Sequence, residues 1–246
     1  MLKNFMLSKI VIIPTYNEIE NIEAIIHAVF SLKEPFNILV VDDNSPDGTS
    51  LKVQELQEKY NNRLFLEIRN HKGGLGAAYV HGFKWALKNN YDFIFEMDAD
   101  FSHNPKDLER IYDTLTNKNA DMVIGSRYSN GVNVVNWPLQ RVLLSYFASI
   151  YVKLITGMKI HDATAGFVGY KKQTLQSINL SKIKSIGYAF QIEMKYSVFS
   201  KKLKIIEIPI IFTDRTKGTS KMSGSIIKEA IFEVIGLRIK KMFNKL

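Results

Sequence analysis

Two aspartates separated by one alanine, Asp98 and Asp100, follow an apolar run that starts at Phe93. Successive side chains of a strand point to opposite faces, so a strand containing both aspartates would place both carboxylates on one side. Carboxylate oxygens at the carboxyl end of a buried strand suit Mg²⁺ or Mn²⁺ bound together with substrate phosphates. The same triplet also occurs in ordinary solvated turns, so the spacing alone leaves a metal-nucleotide site and a turn as alternatives.

Strand and helix patterns alternate through the first half of the chain, with short connections. The apolar runs that predict strands lie at residues 9–14, 37–41, 64–68, 93 onward and 122–126. Apolar residues at helical spacing between these runs predict right-handed βαβ units and a mostly parallel sheet, whose ligands bind at the carboxyl ends of the strands. Polar clusters that favour a binding site fall at those ends, at residues 14–18, 42–43, 98–100 and 126–127.

The second half of the chain has a different pattern. An aromatic-rich helical stretch from Trp137 to Thr156 precedes strands near residues 168–170 and 205–211. Residues 226–246 predict a helix with one apolar face and a basic end. We therefore expect an α/β unit over residues 1–225, followed by a basic amphipathic helix over residues 226–246.

The composition limits the classes of partner and compartment. The formal net charge of +9 indicates an anionic partner such as a nucleotide, a nucleic acid or an acidic membrane surface. No basic stripe with interleaved aromatic residues and no nucleic-acid-binding module is recognisable, which argues against nucleic acid. Because the chain has no cysteine, disulfides and thiolate metal sites are excluded, and a reducing, cytoplasmic location is the simpler expectation.

No apolar segment reaches the roughly 20 residues needed to span a bilayer. The longest, Val142 to Gly157, is interrupted by Lys153. This segment and the C-terminal helix have two open placements: apolar face down in a membrane interface, or packed on the sheet.

Short motifs stand at the ends of the predicted strands and in the later loops. They are IPTYNE at residues 13–18, VVDDNSPDGT at 40–49, GLG at 74–76, DAD at 98–100, GSRY at 125–128, DATAGF at 162–167, GYxFQxE at 187–193 and RxxGxSK at 215–221. In order and spacing they resemble the motifs of family 2 glycosyltransferases of the GT-A fold, and most of all those of dolichol-phosphate and polyprenol-phosphate mannosyltransferases. The resemblance covers about residues 8–225 and implies a Rossmann-like α/β catalytic domain. Ala165 departs from it, since the family often has serine there.

The resemblance implies a nucleotide-binding role for residues in the first two motifs. Asp42 would read the nucleobase, with Asp43 a weaker candidate, and Pro14, Tyr16 and Glu18 would form the first nucleotide-binding loop. A purely structural interpretation stays open, because the two aspartates could cap a turn and Glu18 could stabilise the first turn of a helix.

Metal binding and catalysis are implied for the DAD motif and for later arginines. Asp98 and Asp100 would hold Mg²⁺ or Mn²⁺, which acts as a Lewis acid on a leaving diphosphate, and Ser102 would be a weaker third ligand. Asp100, Arg127 and Arg215 are the residues expected to contribute most to catalysis.

Cationic side chains in the matching motifs are expected to hold phosphates. Arginine can grip a phosphate with two parallel hydrogen bonds, whereas lysine acts as a point charge. By resemblance, Arg127 and Arg141 would hold the phosphate of an acceptor lipid, and Arg215 and Lys221 would close over the nucleotide diphosphate.

Other polar residues of the motifs have weaker assignments. Asp162, Gln191 and Glu193 are expected to line the sugar and acceptor pocket, with a buried structural role as the alternative. The glycines at 73, 74 and 76 do not form a dinucleotide fingerprint, so a tight turn between strand and helix is expected instead of NAD binding. The histidines at 71, 81, 103 and 161 lack metal-ligand spacing.

The resemblance implies an inverting, metal-dependent transfer of a hexose, in first place mannose from GDP-mannose, to a polyprenyl or dolichyl phosphate at the cytoplasmic face of a membrane. Alternatives are a UDP-glucose-dependent enzyme of the same type and a family 2 transferase acting on a glycan hydroxyl, which would need a general base such as Glu193 or Asp162. A non-enzymatic sugar-nucleotide-binding or membrane-scaffold protein is a further alternative, which the presence of both aspartates disfavours. Whether a separate membrane-anchoring subunit is needed stays open.

Overall fold

The structure is a computed structural model that describes residues 7–70, 72–185, 187–215 and 233–239. Its strands are β1 Lys9–Thr15, β2 Asn37–Asp42, β3 Leu64–Ile68, β4 Phe93–Glu96, β5 Met122–Ser126, β6 Val134–Val135, β7 Val168–Lys171, β8 Ile205–Pro209 and β9 Phe212–Thr213. Its helices are α1 Ile22–Phe30, α2 Thr49–Lys59, α3 Leu75–Lys88, α4 Asp107–Asn117, α5 Leu139–Thr156, α6 Lys172–Ser177 and α7 Tyr188–Ser200.

Seven strands form one sheet in the order β3-β2-β1-β4-β7-β5-β8, and β6 pairs with β9 in a separate two-stranded ribbon. All neighbours in the large sheet are parallel except β7, which runs antiparallel between β4 and β5. The mostly parallel α/β sheet expected from the sequence is therefore confirmed. The bounds expected for β3 and β5 agree with the structure, residue for residue.

Apolar side chains cover both faces of the sheet. Alternate residues of β1 enter different cores: Ile10 and Ile12 pack in one, and Val11 and Ile13 in the other. A sheet buried on both faces accounts for the nearly continuous apolar runs of these strands. The polar ends of the strands are thus the places where the sheet can present chemistry.

The expectation that a strand carries both aspartates of the DAD motif is wrong. Strand β4 ends at Glu96, and the chain bends before Asp100. Phe101 then adopts a left-handed conformation with φ of 60°, which is uncommon for a residue with a side chain. The two carboxylates are therefore placed by a bent loop, which follows the strand.

The glycine-rich segment before α3 makes the tight turn that was expected. Gly74 precedes the first residue of α3 with φ of 84°, a conformation that glycine adopts without steric cost. Gly76 has another role, because a Cβ atom there would clash with the Ser185 carbonyl oxygen and with Phe190. The absence of a side chain lets α3 approach the segment that leads into α7.

The C-terminal segment is described only in part. Residues 233–239 are helical, and Val234 and Leu237 are buried in the core that contains Ile10. The remainder of the predicted helix at 226–246, and Lys221, lie outside the described residues. None of the helices within the described ranges is long and apolar enough to cross a membrane.

Candidate functional site

A cleft of about 430 Å³ opens at the carboxyl edge of the sheet. It is lined by residues from the ends of β1, β2, β4 and β5, from the loop before β7 and from the start of α5. Most of the residues singled out in the sequence lie in its wall: Pro14, Tyr16, Glu18, Asp98, Asp100, Ser102, Arg127, Arg141, Gln191 and Arg215. Asp42, Asp162 and Glu193 are not among the lining residues.

Both aspartates at the end of β2 are buried, but only Asp43 lines the cleft. The carboxylate of Asp42 is fully buried and accepts hydrogen bonds from the Thr15 hydroxyl at 2.7 Å and from the Ser45 hydroxyl at 2.6 Å and backbone N–H at 2.8 Å. Asp43 lines the cleft and lies 3.2 Å from a guanidinium nitrogen of Arg69. The geometry therefore presents Asp43, and not Asp42, to a ligand.

An aromatic ring faces the same end of the cleft. Tyr16 lines it, and the ammonium group of Lys72 lies 4.1 Å from the centroid of the Tyr16 ring. The backbone N–H of Gly73 donates to Asp43 at 3.1 Å, which joins the glycine-rich turn to this wall. A planar base could stack and form hydrogen bonds here.

The DAD loop brings two carboxylates to the wall of the cleft. Arg215 forms an ion pair with Asp100 at 2.9 Å, and the Ser102 backbone N–H donates to the other oxygen of Asp100 at 3.0 Å. Enclosure in the cleft, and next the charge of Asp100, raise the pKa of Asp98 to about 8. Two neighbouring carboxylates in one cleft are a suitable pair of ligands for a divalent cation.

The donor set fits Mg²⁺ or Mn²⁺ that shares its coordination with a substrate. Asp98, Asp100 and Ser102 offer only oxygen atoms, as these cations prefer. Within the described part of the chain, no group of three or more His, Asp or Glu side chains could hold a metal by itself. Phosphate oxygens of a bound ligand would have to complete the coordination.

The buried side chain of His103 contacts the backbone of the DAD loop. It stacks on Phe167 with 4.8 Å between ring centroids, and its Nδ1 accepts the Asp98 backbone N–H at 3.4 Å. Burial lowers its pKa to about 4, so the ring is neutral near pH 7. No spacing pattern in the sequence indicates this contact.

Arg127 and Asp162 form a buried ion pair at the wall of the cleft. Two nitrogens of the Arg127 guanidinium donate to Asp162 at 2.7 and 2.6 Å, and the Arg127 backbone N–H donates to the same carboxylate at 2.9 Å. Burial alone would raise the pKa of Asp162, but the charge and hydrogen bonds of Arg127 outweigh it, and the pKa is lowered. Asp162 thus fixes Arg127 and does not itself face the cleft.

Glu207 of β8 holds the loop that carries Asp162. One of its carboxylate oxygens accepts the His161 backbone N–H at 2.7 Å, and the other accepts the Asp162 backbone N–H at 3.0 Å. The sequence motifs do not include Glu207, and only the pairing of β8 with β5 brings it here.

Gln191 lines the cleft as part of a buried polar network. Its amide group donates to Glu96 and accepts from the Lys195 ammonium at 3.1 Å. Lys195 also donates to the Ala165 carbonyl oxygen at 2.6 Å, and Tyr170 donates to Glu96 at 2.7 Å. Burial raises the pKa of Glu96 to about 7 and lowers that of Lys195 to about 8. The network fixes the Gln191 amide and the loop before β7.

Glu193, in contrast, stabilises the segment before α7. One oxygen of its buried carboxylate accepts the backbone N–H groups of Lys184 at 3.2 Å and of Ser185 at 3.0 Å. This structural role is the alternative that the sequence left open.

Arg141 completes a second cationic group. It lies on the first turn of α5, lines the cleft and pairs with Asp214 at 2.9 Å. Its neighbour on one side is Trp137, a cleft residue that the motif comparison did not single out. Arg127, Arg141 and Arg215 thus bring three guanidinium groups to the lining of the cleft.

Comparison with known proteins agrees with this architecture. Residues 10–178 match the glycosyl transferase family 2. A polyprenol monophosphomannose synthase of Mycolicibacterium smegmatis is 46% identical over 225 residues, covering 92% of this chain and 84% of that protein. An undecaprenyl-phosphate mannosyltransferase of Micrococcus luteus is 41% identical over 223 residues, covering 91% and 90%.

Solved structures of a glucosyl-3-phosphoglycerate synthase from Mycobacterium tuberculosis share the fold. The complex with phosphoglyceric acid aligns with a TM-score of 0.66 at 15% identity, covering 96% of this chain and 80% of that one. The complex with Mn²⁺, UDP and glucosyl-3-phosphoglycerate aligns with a TM-score of 0.65. At this level of identity the likeness concerns the fold. Together with the family match and the two relatives, it identifies the chain as a glycosyltransferase that belongs to family 2 and has the GT-A type of α/β fold.

Proposed function

We propose that this enzyme transfers mannose from GDP-mannose to a polyprenyl monophosphate, with inversion at the anomeric carbon. The observation that carries the proposal is that two groups of charged side chains line one cleft. Asp98 and Asp100 with Arg215 form the first, and Arg127 with Arg141 the second. A sugar nucleotide and a phosphorylated acceptor both need such a site, and two relatives that share over 40% identity are named for this class of reaction.

On the donor side, Asp98 and Asp100, with Ser102 as a weaker ligand, would hold Mg²⁺ or Mn²⁺. The bound cation would supply Lewis-acid stabilisation of the leaving diphosphate. Arg215, which pairs with Asp100, is placed to add positive charge to the same leaving group. Lys221 belongs to the same proposed set.

On the acceptor side, Arg127 and Arg141 would bind the phosphate of the lipid. An oxygen of that phosphate attacks the anomeric carbon, the bond from this carbon to the diphosphate oxygen breaks, and GDP leaves with the electron pair. The second pKa of a phosphate monoester is about 6, so the nucleophile is already ionised at neutral pH. Positioning and charge stabilisation, without a general base, would supply the rate.

The buried positions of Asp162 and Glu193 argue against either as a base for a glycan hydroxyl acceptor. A hydroxyl acceptor would need a base, and the bases considered for it were Glu193 and Asp162. Neither lines the cleft, since Asp162 is held by Arg127 and Glu193 by backbone N–H groups. The remaining alternative, a UDP-glucose donor with the same acceptor, differs only at the base and the sugar.

The test of the proposed reaction is a transfer assay with purified protein, Mn²⁺ or Mg²⁺, a panel of GDP- and UDP-sugars, and undecaprenyl phosphate. We expect mannosyl transfer from GDP-mannose and none without a divalent cation. Transfer from UDP-glucose alone would overturn the donor assignment. Transfer to a free hydroxyl acceptor, with none to undecaprenyl phosphate, would overturn the acceptor assignment.

Asp43 is the residue that we propose reads the base. A carboxylate can accept both the ring N–H and the amino N–H of guanine, and Asp43 is the one of the two neighbouring aspartates that lines the cleft. We expect Asp43→Asn to raise the KM for GDP-mannose about tenfold and to leave the acceptor KM unchanged, since one or two charge-assisted hydrogen bonds are lost.

Asp42→Asn is the matched comparison, measured by the same steady-state kinetics and by thermal unfolding. Because Asp42 is enclosed and bonded to Thr15 and Ser45, we expect this substitution mainly to lower the Tm. A higher donor KM for Asp42→Asn than for Asp43→Asn would contradict the assignment.

Helix α5 supports a peripheral location on the membrane that holds the acceptor. Its first turn carries Arg141 in the cleft, while Leu139, Phe147 and Leu154 are 71%, 60% and 77% exposed. Further exposed apolar side chains on the helix are Leu143, Leu144, Tyr146 and Ile150. An exposed apolar surface of this kind is typical of an interaction site, and a bilayer interface would bury it beside the phosphate of the lipid.

Vesicle flotation tests this placement. We expect the triple variant Leu143→Ser, Phe147→Ser and Leu154→Ser to bind vesicles containing anionic lipid at least about tenfold more weakly, because three large apolar side chains no longer enter the interface. Leu51→Ser is the control, since Leu51 is an exposed leucine on a different helix, α2. Equal recovery of wild-type protein and triple variant would contradict the membrane role of α5.

A further inference from the structure

Trp137 stands between the two arginines proposed to hold the acceptor phosphate. The centre of the Arg141 guanidinium lies 4.1 Å from the centroid of its ring, and that of Arg127 lies 5.3 Å from it. A guanidinium within about 6 Å of an indole ring is attracted to the face of the ring. One side chain thus touches both cationic groups, which come from different parts of the chain.

The indole ring is itself held in place. Phe212 packs against it edge to face, with 5.2 Å between ring centroids and 69° between ring planes. Before it, Asn136 has a φ of 63°, and after it Pro138 fixes the entry to α5. The neighbouring strands β6 and β9 pair Val135 with Thr213, so Trp137 and Phe212 lie on adjacent backbones.

Each arginine forms an ion pair with a carboxylate, but the two ion pairs differ in burial. Asp162 grips Arg127 with two hydrogen bonds inside the protein, whereas the Arg141–Asp214 pair is partly exposed, at 23% and 27% of the side-chain surfaces. Partly exposed ion pairs hold geometry weakly. For Arg141, the ring face of Trp137 is therefore a second constraint beside the ion pair.

We propose that Trp137 is a positioning residue that sets the orientation of Arg141 relative to Arg127, so that both guanidinium groups can hold one phosphate monoester. This inference rests on the proposed role of the two arginines in acceptor binding. The ring face carries the role, because the indole N–H is enclosed and has no hydrogen-bond partner among the described residues. A substituted ring without this N–H should therefore retain the function.

Two substitutions distinguish an effect of the aromatic ring from an effect of side-chain volume. Trp137→Phe keeps an aromatic face, and Trp137→Met keeps apolar volume without one. The probe is farnesyl phosphate, a short prenyl monophosphate, titrated calorimetrically in the presence of GDP and Mn²⁺. We expect the Kd of farnesyl phosphate to rise about tenfold in the Met variant and to stay within about threefold of wild type in the Phe variant. The Kd of GDP should stay unchanged in both, which also shows that the variants are folded.

Three results would overturn the inference: wild-type affinity in the Met variant, equal weakening in the Phe and Met variants, or parallel weakening of GDP and farnesyl phosphate. Trp137→Leu repeats the measurement if the Met variant does not fold. The readout also separates this inference from the proposed reaction. Binding that follows the expected order without any mannosyl transfer would refute the reaction only, and transfer with unchanged binding in all variants would refute the role of Trp137 only.

Discussion

Replacing Asp100 with asparagine is expected to lower the kcat/KM of sugar transfer by about a thousandfold, which is about 4 kcal/mol of transition-state stabilisation. Asn is close in shape to Asp and can still accept the Ser102 backbone N–H, so the loop should keep its conformation. It removes one negative charge from the proposed metal site and the ion pair with Arg215. The leaving diphosphate would then lack its main source of charge neutralisation.

Steady-state kinetics at saturating Mn²⁺, together with calorimetric binding of Mn²⁺ in the presence of GDP, checks this expectation. Asp113→Asn is the control, because Asp113 is an exposed aspartate of α4 and should tolerate the same change without effect. The thermal midpoint should shift by no more than a few degrees. Turnover within tenfold of wild type, with Mn²⁺ affinity retained, would refute the role of Asp100.

Replacing Arg127 with methionine is expected to cost about 3–5 kcal/mol of folding free energy at pH 7 and to abolish use of the lipid acceptor. The stability loss has a direct cause, since Asp162 is fully buried and two of its hydrogen bonds come from the Arg127 guanidinium. Without that partner a carboxylate would stay charged in an apolar interior or take up a proton. The loss of activity follows from the proposed phosphate-binding role.

The stability loss in Arg127→Met should depend on pH, and its direction follows from the pKa of Asp162. In the wild type the pKa of Asp162 is lowered, so its contribution to stability is present above the unfolded pKa of about 3.9 and lost as the pH falls through the folded value. In Arg127→Met, burial without the arginine should raise that pKa, and the protonated form becomes favourable at mildly acidic pH. We therefore expect the difference in unfolding free energy from wild type to shrink between pH 7 and pH 5.

Urea denaturation at the two pH values measures the difference. The double variant Arg127→Met with Asp162→Asn should recover most of the lost stability and none of the acceptor activity. Lys52→Met is the control: its ion pair with Glu55 lies at the surface, with side chains 33% and 65% exposed, and its loss should leave the stability nearly unchanged. A cost for Arg127→Met equal to that of the control would contradict the assigned ion pair.

Much of the fold could be predicted from local patterns, because the strands are apolar runs bounded by turn residues. The position of β7 could not, since nothing in the sequence near Val168 shows that it inserts antiparallel between β4 and β5. The early end of β4 was missed for a different reason. The apolar run continues to Met97, which favours a longer strand. The loop that follows contains Phe101 in a left-handed conformation, which its residue type disfavours and the sequence therefore does not predict.

For the site, the motifs predict the residue types and the edge of the sheet at which they lie. The direction of each side chain is seen only in the structure. Asp42 and Asp43 are adjacent, and neighbours on an extended chain point to opposite sides, so only one of them can face the cleft. The sequence does not say which. Glu207 was missed because its partner Asp162 lies 45 residues away in the sequence. Trp137 was missed because its ring meets Arg127 only through a tertiary contact.

The antiparallel direction of β7 affects how this enzyme could diversify. Because β7 starts beside the end of β4, the long excursion between β5 and β7, residues 127–167, leaves the cleft edge and returns to it. Insertions or exchanges within that excursion would leave the pairing register of the seven strands of the large sheet unchanged. In the proposed assignment it carries Arg127, Trp137 and Arg141, whereas the base and metal residues precede it. Changes confined to this excursion could therefore alter the acceptor specificity while the binding site for the sugar nucleotide is retained.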